Sequence, residues 1–282
     1  MPLDTIMNRT KNELEKGDKE YSLNGPCICR GFKMFDGPLF FALDEMHLIG
    51  YGISKSIWKM VVGSYGKKLL FLDNTTCKEI SKIISNSKSS IPTTFHGYEK
   101  NINNQSGYLR AVDWIDFLLH VVLTIVVGLM DNIEDCMALM CLVKACSLIQ
   151  KWHITEKEID IVEKLIRKWN SHLKLRHDQE KVDISLFTIS HHYLTHVPEI
   201  IRHYGPLRNY SSRSLERTIG EYSDHFKSKS KPGPHAGNIL HRISMMNSYN
   251  RKSIDIGNNE EYIGASKIIG SQDICTLGLT EI

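Results

Sequence analysis

The sequence predicts a mainly α fold with a minor extended portion near its start, and three observations predict it. Residues 110–130 and 133–152 are two long apolar runs, separated near Asp131 and Asn132, that read as helices. Thr155, followed by Glu158, forms a capping box, and behind it Ile159, Ile161, Val162, Leu165, Ile166 and Trp169 recur at helical spacing to about Leu173. Further helical patterns fill most of 185–246.

Taken in order, residues 1–24 are polar and carry no domain signal. The chain turns apolar from Cys27 to Val62, with a strand or extended piece expected at 38–43, then Asp44, then a helix over 52–62. The run 68–72 suits a short buried strand or part of a helix equally, because a run that short does not discriminate. Residues 86–106, rich in Asn, Ser, Lys, Pro and Gly, read as a long connection. The two apolar helices that follow form an αα-hairpin that is hydrophobic nearly all round, which predicts central burial. Its segment 117–130 would rise only ~21 Å as a helix, against ~30 Å of bilayer hydrocarbon, so a buried helix is expected and no membrane. Beyond the charged turn 176–181, helical patterns cover 185–204 with Pro198 in a first turn, and Gly205 and Pro206 stop them. A helix over 214–227, a Lys/Pro/Gly loop at 228–237, a shorter helix over 238–246 and a loose tail complete the chain.

The 282 residues suffice for one sizeable core or one core with a helical appendage. With 41% hydrophobic and 24% charged residues, global disorder is excluded. A net charge of +3 is too small to announce a nucleic-acid binder. The seven cysteines are odd in number, and three of them sit in one apolar run, as in a reducing compartment. Residues 1–20 are charged without an apolar centre, so no signal peptide is expected there.

Five groups of residues are candidates for chemistry. On the helix over 214–227, Leu215, Ile219 and Tyr222 share a face expected to anchor it to the core. Glu216 lies beside that face, with open space expected at Gly220, and is placed either to reach a metal or to pair with Arg213 or Arg217. Asp44 and His47 are spaced either for a carboxylate–imidazole pair or for capping of the helix by Asp44. His192 and His196 share a helix face, but Tyr193 stands where a zinc protease requires glutamate, which favours core or hydrogen-bonded histidines. Cys27 and Cys29 supply only two of the four ligands of a structural zinc site. Lys227, Lys229, Lys231, His235, Arg242 and Arg251 form a basic stretch suited either to a DNA backbone or to plain solvation.

The segment from His192 to Tyr222 spells H-Y-L-x-H-x-P-E, G-P-L-R-N-Y-S and E-R-x-x-G-E-Y. It resembles the closing part of transposases of the CACTA (En/Spm) kind and their fungal relatives, and its Ser-x-Glu-Arg is similar to the end of hAT-type catalytic domains. Asp44-Glu45-Met46-His47 with Gly50, Gly52, Ile53, Lys55 and Trp58 resembles the family's D-x-x-H element and the helix after it. Phe95-His96-Gly97, Gly107 to Ala111, Asp113-Trp114 and Phe117 to Leu119 look like the lead into that family's helical insertion. Cys27 and Cys29 fall where the family often has C-x-x-C, here spaced C-x-C.

The resemblance covers about residues 25–246 and implies a mainly α chain that is an α/β remnant: a partial RNase H-like domain interrupted by a helical insertion. The segments would be a polar start (1–24), the partial RNase H-like part with D-x-x-H (25–109), the insertion (110–180), C-terminal helices with the third acid (181–246) and a loose tail (247–282). It implies Glu216 as the third acid of a DDE triad and a Mg²⁺ ligand, with Asp44 and His47 in support. Lys227, Lys229, Lys231 and Arg242 would meet DNA at transposon ends, in the nucleus. DDE chemistry needs two divalent ions held by three carboxylates. The family's first two aspartates lie upstream of the paired cysteines; Asp4 and Asp36 are formally available here, neither in a similar strand context. The expectation is therefore a catalytically incomplete, transposase-derived chain needing further acids to hold Mg²⁺. The alternative is a non-catalytic DNA-binding or protein-interaction module built on the helical insertion.

Overall fold

Helices supply all the regular structure among the described residues of this computed structural model, which are 10–17, 23–66, 69–87, 102–225 and 232–256. No strand occurs among them, and an isolated bridge joins Ser64 to Gly66. The chain divides into two units, Met1–Ser211 and Ser212–Ile282.

The first unit opens with α1, Lys11–Lys16, started by a capping box between Thr10 and Glu13. The strand expected at 38–43 is absent. Gly37–Phe40 forms a 3₁₀ turn instead, because Gly37 takes φ +65° and Pro38 has no N–H to donate to a ladder. Phe35, Phe40 and Phe41 pack ring on ring around that turn. The helix expected from 52 begins earlier: a π-helical stretch, Met46–Ser54, runs into α2, Lys55–Val61. Ser54 Oγ donates to the Ile49 carbonyl at 2.7 Å, consistent with the wide π turn.

Residues Leu69, Leu70 and Leu72 are buried, yet they form neither strand nor helix. A helix that the sequence reading missed, α3 (Asn74–Asn86), follows, started by Asp73, whose carboxylate accepts from Thr76 N–H at 2.7 Å. That bond holds the Asp73 carboxyl below its ordinary value. Within the expected connection, α3 ends at Asn86 and the short α4 occupies Ile102–Gln105, while Phe95, His96 and Gly97 lie outside the described residues.

The helical hairpin is present. Its first arm joins α5, Ala111–Asp116, to a π-helical stretch, Phe117–Val126, and a last 3₁₀ turn, Val127–Leu129. Its second arm is α6, Ile133–Ile149, capped by Asn132, whose side chain accepts from Glu134 and Asp135 N–H. Trp58 and Trp114 both meet Phe117 edge-on, at 5.6 and 5.9 Å between ring centroids, locking the D-x-x-H helix onto the hairpin. Gly50 permits this contact, since a Cβ there would lie 2.8 Å from the Ala111 carbonyl oxygen, and Gly52 permits a second one, since a Cβ there would lie 2.5 Å from Ser190 Oγ.

Complete burial of the hairpin does not hold. Trp114, Phe117, Leu118, Val122 and Val126 are buried, but Leu123, Leu129, Ile133, Met137 and Met140 are exposed, so the hairpin is covered on one side. By length and composition alone the arm Ala111–Leu129 also suffices to cross a membrane, because the helix begins before the run 117–130 considered from sequence.

The third long helix is α7, Glu156–Asp178, with the expected capping box: Thr155 N–H donates to Glu158 at 2.9 Å and Glu158 N–H returns to Thr155 Oγ1. Lys151 also donates to Glu158, and with the Thr155 bonds it holds that carboxyl down at about 2. A charged cluster ties α7 to α6. Arg176 Nε donates to Asp135 at 2.7 Å and its Nη2 to Glu134 at 2.9 Å, while His172 Nε2 lies 2.7 Å from Asp135. Asp135 and Arg176 are both buried.

Helix α8, Ile189–Tyr193, continues through a 3₁₀ turn into α9, Val197–Tyr204, where Pro198 sits in the first turn as expected. Gly205, at φ +81°, ends it. His191 is fully buried, stacked on Trp169 and 3.1 Å from the Ser56 hydroxyl, and burial pushes its imidazole down to about 4.

The second unit holds α10, Arg213–His225, and α11, Pro232–Ile256. In place of the expected short helix, one 25-residue helix begins at Pro232 and extends ten residues past Met246, and the remainder of the expected loose tail, 257–282, lies outside the described residues. Prolines at positions 232 and 234 fit its first turn, where no intrahelical N–H is required.

Candidate functional site

Within the first unit, the two most specific segments of the sequence come together. Asp44 Oδ2 accepts the His47 backbone N–H at 2.8 Å and lies 2.7 Å from His47 Nδ1. Capping and carboxylate–imidazole pairing are thus not alternatives: one oxygen does both, directing the His47 ring while starting the helix. The Asp44 side chain is 17% exposed and that of His47 55%, so the imidazole is the accessible partner.

Between them lies a residue the sequence reading did not single out. Glu45 is fully buried, and its Oε1 accepts from Ser211 Oγ at 3.0 Å across 166 residues. A buried carboxylate demands donors, and the Tyr-Ser ending of G-P-L-R-N-Y-S brings one. The Tyr210 hydroxyl is buried with no hydrogen-bond partner among the described residues. It is pushed up to about 12, first by burial, then by Tyr204, Glu45 and Asp44. Tyr204 donates its hydroxyl to the Leu39 carbonyl.

The rest of that motif is anchorage. Leu207 is fully buried, and Arg208 donates to the Gln150 carbonyl at 3.2 Å, where the C-terminus of α6 favours a cation. The same guanidinium lies 4.6 Å over the Trp152 ring. Residues 205–211 therefore bolt α9 to the end of α6 and to the Asp44–His47 corner.

Glu216 belongs to the second unit, in the first turn of α10, where it is exposed and its N–H donates to Ser212 O at 2.8 Å. The expected anchoring face of α10 is corrected. Leu215 is 59% and Ile219 47% exposed, Tyr222 is partly covered, and no described α10 residue is buried. An amphipathic pattern records a face able to be buried, not a surface that buries it. Gly220 does leave open space, since nothing stands within 4 Å of a Cβ built there.

Arg242 is exposed on α11. Lys227, Lys229 and Lys231 lie outside the described residues. His196 Nε2 and His192 Nε2 are 3.1 Å apart, and the Cys29 N–H donates to Cys27 Sγ at 3.4 Å. Among the described residues no group of three His, Cys, Asp or Glu side chains is placed to hold a metal ion. The described residues therefore offer no Mg²⁺ cage, since Glu216 is one carboxylate and three are needed to hold the ions of DDE chemistry.

Comparison with family models, with curated proteins and with solved structures returns no match.

Proposed function

We propose that this chain is transposase-derived and resembles the C-terminal part of a DDE transposase catalytic domain, acting on DNA yet incomplete as a catalyst on its own. One observation supports the reading above others. The Asp44–His47 element and G-P-L-R-N-Y-S, which carry the resemblance separately in the sequence, are neighbours joined by the Ser211–Glu45 hydrogen bond. Two unrelated motif matches have no reason to be joined in this way.

On this reading Glu216 is the third acid, Asp44 and His47 support the site, and Arg242 with Lys227, Lys229 and Lys231 meets the phosphates of transposon ends in the nucleus. Holding Mg²⁺ would need two further carboxylates besides Glu216. The helical insertion would be α5 to α7. A protein-interaction role for the insertion is the second reading, favoured by the exposed apolar side chains of the hairpin.

A nicking assay on supercoiled DNA with Mg²⁺ or Mn²⁺, with the chain and its Glu216→Ala variant, tests the catalytic half of this proposal. The expected result is no nicking by either protein. Nicking lost on substitution would contradict incompleteness while assigning Glu216, and nicking that survives it would remove Glu216 from any site.

A further inference from the structure

The exposed residues of α6 are not scattered. After the first turn they fall at Met137, Met140, Lys144 and Ser147, and with Ile133 the steps are four, three, four and three. That is the repeat of a coiled-coil seam. Its opposite side buries Leu139, Leu142, Val143, Cys146 and Ile149 in the core. Ile133 is 73% and Met137 63% exposed, and Leu129 of the preceding arm extends the apolar surface. A helix that is apolar on both sides is normally covered on both.

We propose that this seam is covered by the same seam of a second copy of the chain, the two α6 helices running antiparallel about a two-fold axis. Charge placement selects that occupant and that direction. Exposed Asp131 marks the start of the seam, beside Glu134, which Arg176 already holds, and exposed Lys144 lies one step before its far end at Ser147. Antiparallel pairing sets Lys144 of each copy over Ile133 of the other, its ammonium reaching the acidic end, whereas parallel pairing sets Lys144 against Lys144. In that register the overlap runs from Ile133 to Lys144 and its midpoint falls between Met137 and Met140, so the flexible thioethers meet at the axis. A lipid surface suits the seam less well, because interfacial helices are rich in cations along the apolar border and this one carries a single lysine, with acidic residues at its start.

The seam covers about three helical turns, so the interface belongs to the small class, with dissociation on the order of micromolar. Sedimentation velocity of the full chain across that range should show a dimer that grows with concentration. Met137→Asp with Met140→Asp should leave a monomer of unchanged helical circular dichroism, since both side chains are exposed. Lys144→Glu should weaken the dimer about tenfold, and adding Asp131→Lys should restore it. A monomer at every concentration, or a dimer untouched by the two aspartates, overturns the proposal. Failure of the charge exchange to restore pairing overturns the antiparallel arrangement. Cosedimentation of the wild type with phosphatidylcholine vesicles, lost in the Met137→Asp/Met140→Asp protein, would reassign the seam to lipid.

Discussion

Two halves of one motif-bearing stretch behave differently. Residues 205–211 are held by Leu207 in the core, Arg208 on the end of α6, and Ser211 on buried Glu45. Residues 213–222, only a few positions further, present Leu215, Glu216 and Ile219 to solvent. A resemblance spread evenly over both halves thus mixes two kinds of constraint: packing in the first, and in the second whatever the exposed carboxylate and its neighbours meet. Matching residues in the buried half speak for a shared fold, and only those in the exposed half speak for shared chemistry.

That contrast predicts substitutions that are costly in the buried unit and mild on α10. The largest effect belongs to Arg176→Ala, which leaves Asp135 buried without its guanidinium and should cost about 3–5 kcal/mol in denaturant unfolding. A loss below about 1 kcal/mol would mean that the cluster is open to water.

Next comes pH. His191 is buried with its imidazole held down at about 4, against 6.5 for the free side chain. Its folded form stays neutral while the unfolded chain takes up a proton. Stability is therefore highest above 6.5 and falls as pH drops from there to about 4, by on the order of 3 kcal/mol in all. His191→Gln should flatten that slope, and an unchanged slope would show that other groups carry it.

Ser211→Ala removes a donor to the buried Glu45 carboxylate and should cost about 1–3 kcal/mol. The contrasting substitution, Glu216→Ala, should change stability by no more than about 0.5 kcal/mol. Equal effects at the two positions would erase the distinction between the halves.

Much of the helical framework was legible. The Thr155–Glu158 capping box, the helical spacing after it and Pro198 in a first turn all use local rules that tertiary contacts left intact. Two errors came from letting apolar runs stand for secondary structure. At 38–43 the aromatic cluster and Pro38 produced a turn, and at 69–72 the leucines were buried in an irregular connection. Helix α3 carried its own signal, Asp73 as cap with Cys77, Ile80 and Ile84 at helical spacing.

At the candidate site, the Asp44–His47 pair was readable because both partners lie within one turn. Glu45 was not, since its burial depends on Ser211 far along the chain. The exposure of Leu215 and Ile219 was equally invisible, because periodicity says which residues share a face and nothing about what covers it.

The proposed function rests on contact with DNA. Fluorescence anisotropy of a labelled duplex, titrated with the full chain across a salt series, measures it most directly. A protein that lays several cations on the phosphate backbone should lose affinity linearly in log–log form, with a slope on the order of −0.9 for each contact. Several contacts, and therefore a steep slope, are predicted. Absence of binding at low salt, or binding indifferent to salt, would contradict a transposase-derived function.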